Sequence, residues 1–123
     1  MVNKQRLIKT IRKLISLDSQ NPPGDESKVA AFVREYLGKL GLDVKNYRFK
    51  KNRDNVVAFF KNPPFSSPHS PRSLLIAPHL DTVPAGKNWS RNPFVGEICG
   101  DKIYGLGSTD CKGNLACALE AIQ

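Results

Sequence analysis

Sulfur and acid are scarce in this chain. Its 123 residues include three cysteines, one methionine and 11 acidic residues against 19 basic ones. Cys99, Cys111 and Cys117 are odd in number and none forms a Cys-x-x-Cys pair, which argues against a disulfide framework. Free thiols in a reducing compartment are expected. No apolar run reaches the length of a membrane span. Met1 to Arg6 lead into a helical pattern rich in Lys and Arg, not into the apolar core of a secretory signal. A cytoplasmic location with no membrane partner is therefore expected. Nucleotide and serine-hydrolase signatures are also missing. Gly105-x-Gly107 would need a glycine where Asp110 stands to make a dinucleotide fingerprint, and Lys112-Gly113 has the wrong order for a phosphate loop. No serine sits in a Gly-x-Ser-x-Gly elbow.

The shortage of acid leaves a formal net charge of +8. Such a balance permits anion or nucleic-acid binding. The densest basic cluster is Lys45, Arg48, Lys50, Lys51 and Arg53, with Tyr47 and Phe49 interleaved. No recognition motif accompanies it, so it reads as a solvated edge strand whose lysines discourage edge pairing, and no nucleic-acid partner is expected.

What is present is the content of one small globular domain, 40% hydrophobic and 24% charged. Leu7, Ile8, Ile11, Leu14 and Ile15 repeat at helical spacing and predict an amphipathic helix over about Val2 to Leu17. Asn21-Pro22-Pro23-Gly24 ends that pattern. A second helix is predicted from Asp25 or Ser27, carrying Val29, Phe32, Val33, Tyr36, Leu37 and Leu40, with Gly41 in the left-handed position after it. Leu42 to Lys50 and Asn55 to Phe60 read as strands joined by a turn at Asn52-Arg53-Asp54. Asn62 to Ser73, with four prolines, reads as an exposed loop, and His69 within it as a surface residue. Leu74 to Pro78 reads as a buried central strand, Phe94 to Tyr104 as two short strands around Gly100-Asp101, and Leu115, Ala116, Leu119 and Ile122 as a closing helix. That helical pattern is still running at Gln123, which suggests a piece of a larger domain.

Chemistry concentrates at two places. Leu74-Leu75-Ile76-Ala77-Pro78 leads into His79-Leu80-Asp81, and residues two apart on a strand share one face. His79 can bind zinc through one neutral ring nitrogen, and Asp81 can hold the other. Asp110, after a glycine-rich turn, can bind one metal or bridge two. By themselves these residues leave alternatives open. A lone His-x-Asp is more often structural, and Asp110 fits a helix N-cap as well as a ligand. Cys111 as a nucleophile would have His79 as its only base and no supporting motif.

Four stretches together resemble zinc peptidase family M20, the group of acetylornithine deacetylase, succinyl-diaminopimelate desuccinylase, aminoacylase-1 and carboxypeptidase G2. They are Ser19 to Glu26 with its Asn-Pro-Pro-Gly, Pro78 to Gly86 with His-x-Asp, Trp89 to Phe94 with Gly100 to Gly105, and Gly107 to Gly113. The resemblance implies an α/β fold with a mixed, mainly parallel sheet flanked by helices, residues 1–123 being the N-terminal portion of the catalytic domain. It implies His79 as a ligand of one zinc, Asp81 as the acidic residue that orients His79, and Asp110 as the carboxylate bridging two zinc ions, with cobalt an alternative metal. The general-base glutamate, a further acidic ligand, a late histidine and the dimerisation domain have no counterpart in the 123 residues. Members usually carry another residue at Cys111. The implied function is metal-dependent hydrolysis of the amide bond of a small N-acyl amino acid or peptide, with a homodimer as the full-length form. The competing reading is a non-catalytic basic binding module that retains an M20-like core.

Overall fold

A computed structural model of the chain describes residues 1–60 and 74–123. The predicted proline-rich loop and His69 lie outside the described residues. The elements, in order, are α1 (Lys4–Ser16), α2 (Ser27–Lys39), β1 (Asp43–Lys50), β2 (Arg53–Phe59), β3 (Glu97–Cys99), β4 (Lys102–Tyr104) and α3 (Lys112–Ala121).

Both predicted N-terminal helices form, and their apolar stripes explain why. Asn3 caps α1 by accepting from the Arg6 N–H at 3.0 Å, satisfying one of the free donors of the first turn. Leu14 of α1, Val29, Val33 and Leu37 of α2, and Leu115, Ala116 and Leu119 of α3 make one buried cluster. No single helix could bury its stripe alone, so the three assemble around a shared core. Gly41 takes the left-handed position predicted for it, at φ 79°.

β1 and β2 form an antiparallel hairpin with Val44 opposite Ala58 and Asn46 opposite Val56. Val44, Val56 and Ala58 pack toward the helical core, while Tyr47 and Phe59 stay exposed on the other face. Among the described residues β1 pairs with β2 alone, as an edge strand does. The turn falls at Lys51-Asn52, earlier than the sequence pattern suggests, because Asn52 accepts the left-handed conformation (φ 62°) and frees Arg53 to start β2. β3 and β4 pair around Gly100-Asp101 as expected.

The expected central strand does not form. Leu74 and Leu75 are 86% and 83% exposed, and residues 74–80 join no ladder. A parallel strand takes its backbone partners from neighbours on each side, and here the only parallel pairing among the described residues is a bridge between Gln20 and Thr82. Among the described residues the architecture is thus mixed helix and strand, with two antiparallel pairs as its sheets and no mainly parallel sheet. Among the described residues no helix is long and apolar enough to cross a membrane.

One ion pair ties the two ends of this assembly together. Arg6 grips Glu120 of α3 through Nε and Nη2 at 2.7 and 2.6 Å, and the Asn3 N–H donates to the same carboxylate at 2.6 Å. These contacts, Arg6 foremost, hold the Glu120 carboxyl below its ordinary value of 4.5. The stabilisation is whole above that value and fades as pH falls through the lowered one. Glu120→Gln is therefore expected to lower Tm near neutrality and to shrink the further loss on acidification, as read by thermal melts across about pH 7 to 3. Leu14 is fully buried, and Leu14→Ala is expected to cost about 2–5 kcal/mol in urea unfolding.

Candidate metal centre

The site is assembled by a backbone clasp between two loops. The Thr82 N–H donates to Ser19 O at 3.0 Å and the Asn21 N–H to Thr82 O at 2.8 Å. The Ser19 hydroxyl donates to Leu80 O at 2.8 Å. Residues 79–82 thereby lie along the loop that follows α1, although no strand is there to carry them. From the other side, the turn at 105–111 delivers Asp110. Gly107 sits at φ 78°, and a Cβ there would lie 2.9 Å from Thr82 Cγ2 and 3.2 Å from Lys112 Cδ, so the turn can approach only as glycine.

His79 and Asp110 meet at the junction, with His79 Nε2 and Asp110 Oδ1 2.8 Å apart. On the far side of the ring, Nδ1 is 3.0 Å from the Asp81 carbonyl and 3.2 Å from Asp81 Oδ1. Both are acceptors, so Nδ1 carries the proton and donates to them. Asp110 Oδ1 is an acceptor too, so without a cation the ring donates at Nε2 as well, and a metal there would take the place of that proton. The bond to Asp110, foremost, and the carbonyl and charge of Asp81 raise the imidazole's pKa against the opposing effect of burial. The Asp81 carboxyl is lowered, first by the donor from Asn21, with help from the charges of His79 and Arg53. Asp110 remains open to solvent, its side chain 85% exposed. These three residues and Asn21, Trp89 and Ser108 line an open cavity of about 440 Å³.

The structure brings His79, Asp81 and Asp110 together despite the missing strand. Asp110 is not a helix cap, because Cys111 occupies the N-cap position of α3. A ring nitrogen whose proton a cation would replace, beside an exposed carboxylate oxygen, is a donor set suited to zinc. Cys111 lies close enough that its Sγ belongs to the same cluster of ligand-type atoms, within 4.8 Å. Its thiol, however, is buried and donates to His79 O at 3.4 Å. Burial, foremost, with the charges of Asp110 and Asp81, pushes its pKa up. It stays a protonated thiol that supports the His79 backbone, which is poor chemistry for a ligand or nucleophile.

Three further contributors escaped the sequence reading. Asn21 donates through Nδ2 to Asp81 Oδ2 at 2.9 Å. Arg53, read as part of a solvated basic edge, instead turns inward. Its Nε donates to the buried Glu26 at 3.0 Å and its Nη2 lies 3.9 Å from Asp81 Oδ2. Lys112 is buried and donates through Nζ to Leu17 O at 2.6 Å, strapping the site turn to the end of α1. Burial pulls its pKa down to about 8, against the charge of Asp18. The Lys-Gly pair after Asp110 was visible, but nothing local in a sequence marks a lysine as buried.

Comparison with known proteins finds relatives along most of the chain. Residues 75–123 match the profile of peptidase family M20/M25/M40. The chain is 32% identical over 98% of its length to an N-formyl-4-amino-5-aminomethyl-2-methylpyrimidine deformylase of Halalkalibacterium halodurans, covering 28% of that protein. It is 34% identical over 95% of its length to a succinyl-diaminopimelate desuccinylase of Sulfurovum sp., covering 29% of it. An acetylornithine deacetylase of Dictyostelium discoideum is 53% identical over 65% of the chain, which covers 17% of that protein. The chain thus spans less than a third of each of these relatives.

The close approach at Gly107 has a measurable cost. Gly107→Ala is expected to destabilise by about 1–3 kcal/mol through left-handed strain alone, and by more through the contacts with Thr82 and Lys112. Gly86 has a similar φ of 68° with nothing within 4 Å. Gly86→Ala should show only the strain, so urea unfolding of the two variants separates the effects.

Proposed function

We propose that this chain, which belongs to peptidase family M20, supplies the first ligands of a metal-dependent amide hydrolase. Its whole protein acts on a small N-acyl amino acid or peptide. The observation that carries the reading is the convergence of His79 Nε2 on Asp110 Oδ1 at 2.8 Å, with Nδ1 held by Asp81. His79 would be a ligand, Asp110 the carboxylate shared between two ions, and Asp81 the residue that orients the imidazole. Zinc, or cobalt in its place, would supply Lewis acidity and a water of lowered pKa.

The chain's own residues do the rest. Asp81 keeps the Nδ1 proton in place, so that the ring presents Nε2. Asp110, held by His79 alone among the described residues, keeps its second oxygen available. The clasp to Ser19 and Asn21 fixes both the backbone and the side chain of the 79–82 segment. Trp89, at the cavity wall, donates its indole N–H to the Ala85 carbonyl and gives that wall an apolar surface. Two ligands are too few to close a zinc site, so the general base and the remaining ligands would come from parts of the protein that these 123 residues do not include. In the whole protein, Leu74 to Pro78 would then find strand neighbours and join a mainly parallel sheet. The reading extends to a cytoplasmic homodimer.

The test is metal content together with turnover. The protein at its natural length is expected to purify with zinc, to lose hydrolysis of N-formyl, N-acetyl or N-succinyl amino acids on chelation, and to regain it with zinc or cobalt. His79→Ala and Asp110→Asn are each expected to lower kcat/KM by 100-fold or more, about 2.7 kcal/mol, with folding intact by circular dichroism. Metal-independent turnover, or full activity in both variants, would sink the reading. A protein that binds no metal and hydrolyses no amide would favour the binding-module alternative.

A further inference from the structure

The Asn-Pro-Pro-Gly segment marks the chain before any chemistry appears, and the ligand set does not use it. Its first residue nevertheless meets Asp81 Oδ2, and its last makes room for a second group beside that atom. Asn21 Nδ2 donates to Asp81 Oδ2 at 2.9 Å. Gly24, at φ 82°, leaves open the space that Arg53 fills, since a Cβ there would lie 2.6 Å from Arg53 Nη1 and 2.8 Å from Cζ. Through that gap Arg53 Nη2 reaches to 3.9 Å from the same Oδ2. Arg53 is itself fixed by Glu26, a carboxylate only 5% exposed, at 3.0 Å. The Asp81 carboxylate is thus divided, with Oδ2 taken by Asn21 and Arg53 and Oδ1 left 3.2 Å from His79 Nδ1.

We infer that Asn21 and Arg53 are positioning residues that set the orientation of the Asp81 carboxylate and, through it, which nitrogen of His79 is left to accept a metal. The inference rests on the metal-ligand reading of His79. A carboxylate held at one oxygen cannot swing, so the other oxygen presents a fixed acceptor to Nδ1. Released from Asn21, the carboxylate could swing toward solvent, leaving the Asp81 carbonyl, 3.0 Å from Nδ1, as the sole acceptor there and weakening the ring's preference for the Nδ1–H form. Gly24 acts by vacancy, because any side chain there displaces the guanidinium. The segment therefore has two jobs in one turn: its backbone joins the 79–82 segment, and its flanking residues fix the carboxylate within that segment.

The test reads the ring directly and metal affinity separately, on the protein at its natural length. Asn21→Asp, isosteric but unable to donate, is compared with Asn21→Ala, Arg53→Gln and wild type. Nitrogen NMR of the metal-free protein at alkaline pH, where the imidazole is neutral, gives the tautomer of His79, each form being read in an Asp110→Ala background that removes the competing acceptor 2.8 Å from Nε2. Competition with a chromogenic chelator gives zinc affinity. The expected result is a predominant Nδ1–H form with Asn21 intact that is reduced in both Asn21 variants, with zinc binding, measured with Asp110 in place, weakened about 10- to 100-fold and a smaller drop in Arg53→Gln. The thermal midpoint of at least one Asn21 variant should stay within a few degrees of wild type. Unchanged tautomer and zinc affinity in a folded Asn21 variant would overturn the inference while leaving the metal site standing. A tautomer shift in a protein that binds no zinc in any form would uphold the positioning role and overturn the metal reading instead.

Discussion

The clasp between Ser19-Asn21 and Leu80-Thr82 is the constraint on which the rest of this structure depends. Its three backbone-directed hydrogen bonds, at 2.8 to 3.0 Å, join the loop between the first two helices to the segment that carries His79 and Asp81. The helical core fixes that loop from behind, because Leu14 and Ile15 near the end of α1 are fully buried. Positional information passes from the core to the loop, and from the loop to the imidazole. The same α1 terminus accepts the Lys112 ammonium at Leu17 O, so both halves of the candidate site are referenced to one helix end. A site assembled this way needs the helices packed, but it does not need the sheet completed.

Electrostatics at the junction is a competition between two carboxylates for one ring. Asp110 meets Nε2 and Asp81 meets Nδ1, and without a cation the doubly protonated imidazolium satisfies both. Magnitudes decide which contact governs orientation. Asn21 makes a charge-assisted hydrogen bond at good distance to Asp81, the kind of bond worth about 1.5–3 kcal/mol. Arg53 lies 3.9 Å away with both side chains about 30% exposed, and such pairs contribute about 0–1 kcal/mol. Asn21 therefore sets the carboxylate plane. Arg53 adds a smaller hold on the same oxygen, and its stronger commitment is to the buried Glu26.

The helices were legible because their information is local. Leu7 to Ile15 and Val29 to Leu40 repeat at three and four, and such a stripe needs only some core to bury against. The two hairpins were legible for a similar reason, through turn residues flanked by apolar positions. The segment 74–80 was not, because an apolar run states that a strand is possible without stating what it pairs with. Among the described residues it meets no strand neighbour, and Leu74 and Leu75 stand exposed. Composition misled at Arg53, since a cluster of like charges reads as solvated face until one member proves to have a buried acid, Glu26, within reach. The residues of the candidate site were legible as a set through motif order. Their mutual distances were not, since Asp110 lies 31 positions from His79 and only the folded turn at Gly107 brings them together.

The exposure of Asp110 beside the burial of its neighbours is the last piece of the same logic. Cys111 and Lys112 are buried on either side of the start of α3, and both donate into backbone carbonyls, of His79 and Leu17. They anchor the turn through atoms that play no part in the chemistry proposed for the site. Asp110, one residue earlier, is spared any structural duty: it caps no helix, and its side chain meets His79 alone among the described residues. A carboxylate used as a helix cap would have its oxygens spent on backbone N–H groups, with little lone-pair capacity left for a cation. Moving the capping position to Cys111, whose side chain makes no cap hydrogen bond, costs the helix a stabilising contact of about 1 kcal/mol. In return the acid is left free and aimed at the ring. A local preference surrendered at one position, beside neighbours that each obey theirs, is what a functional constraint on Asp110 would leave behind.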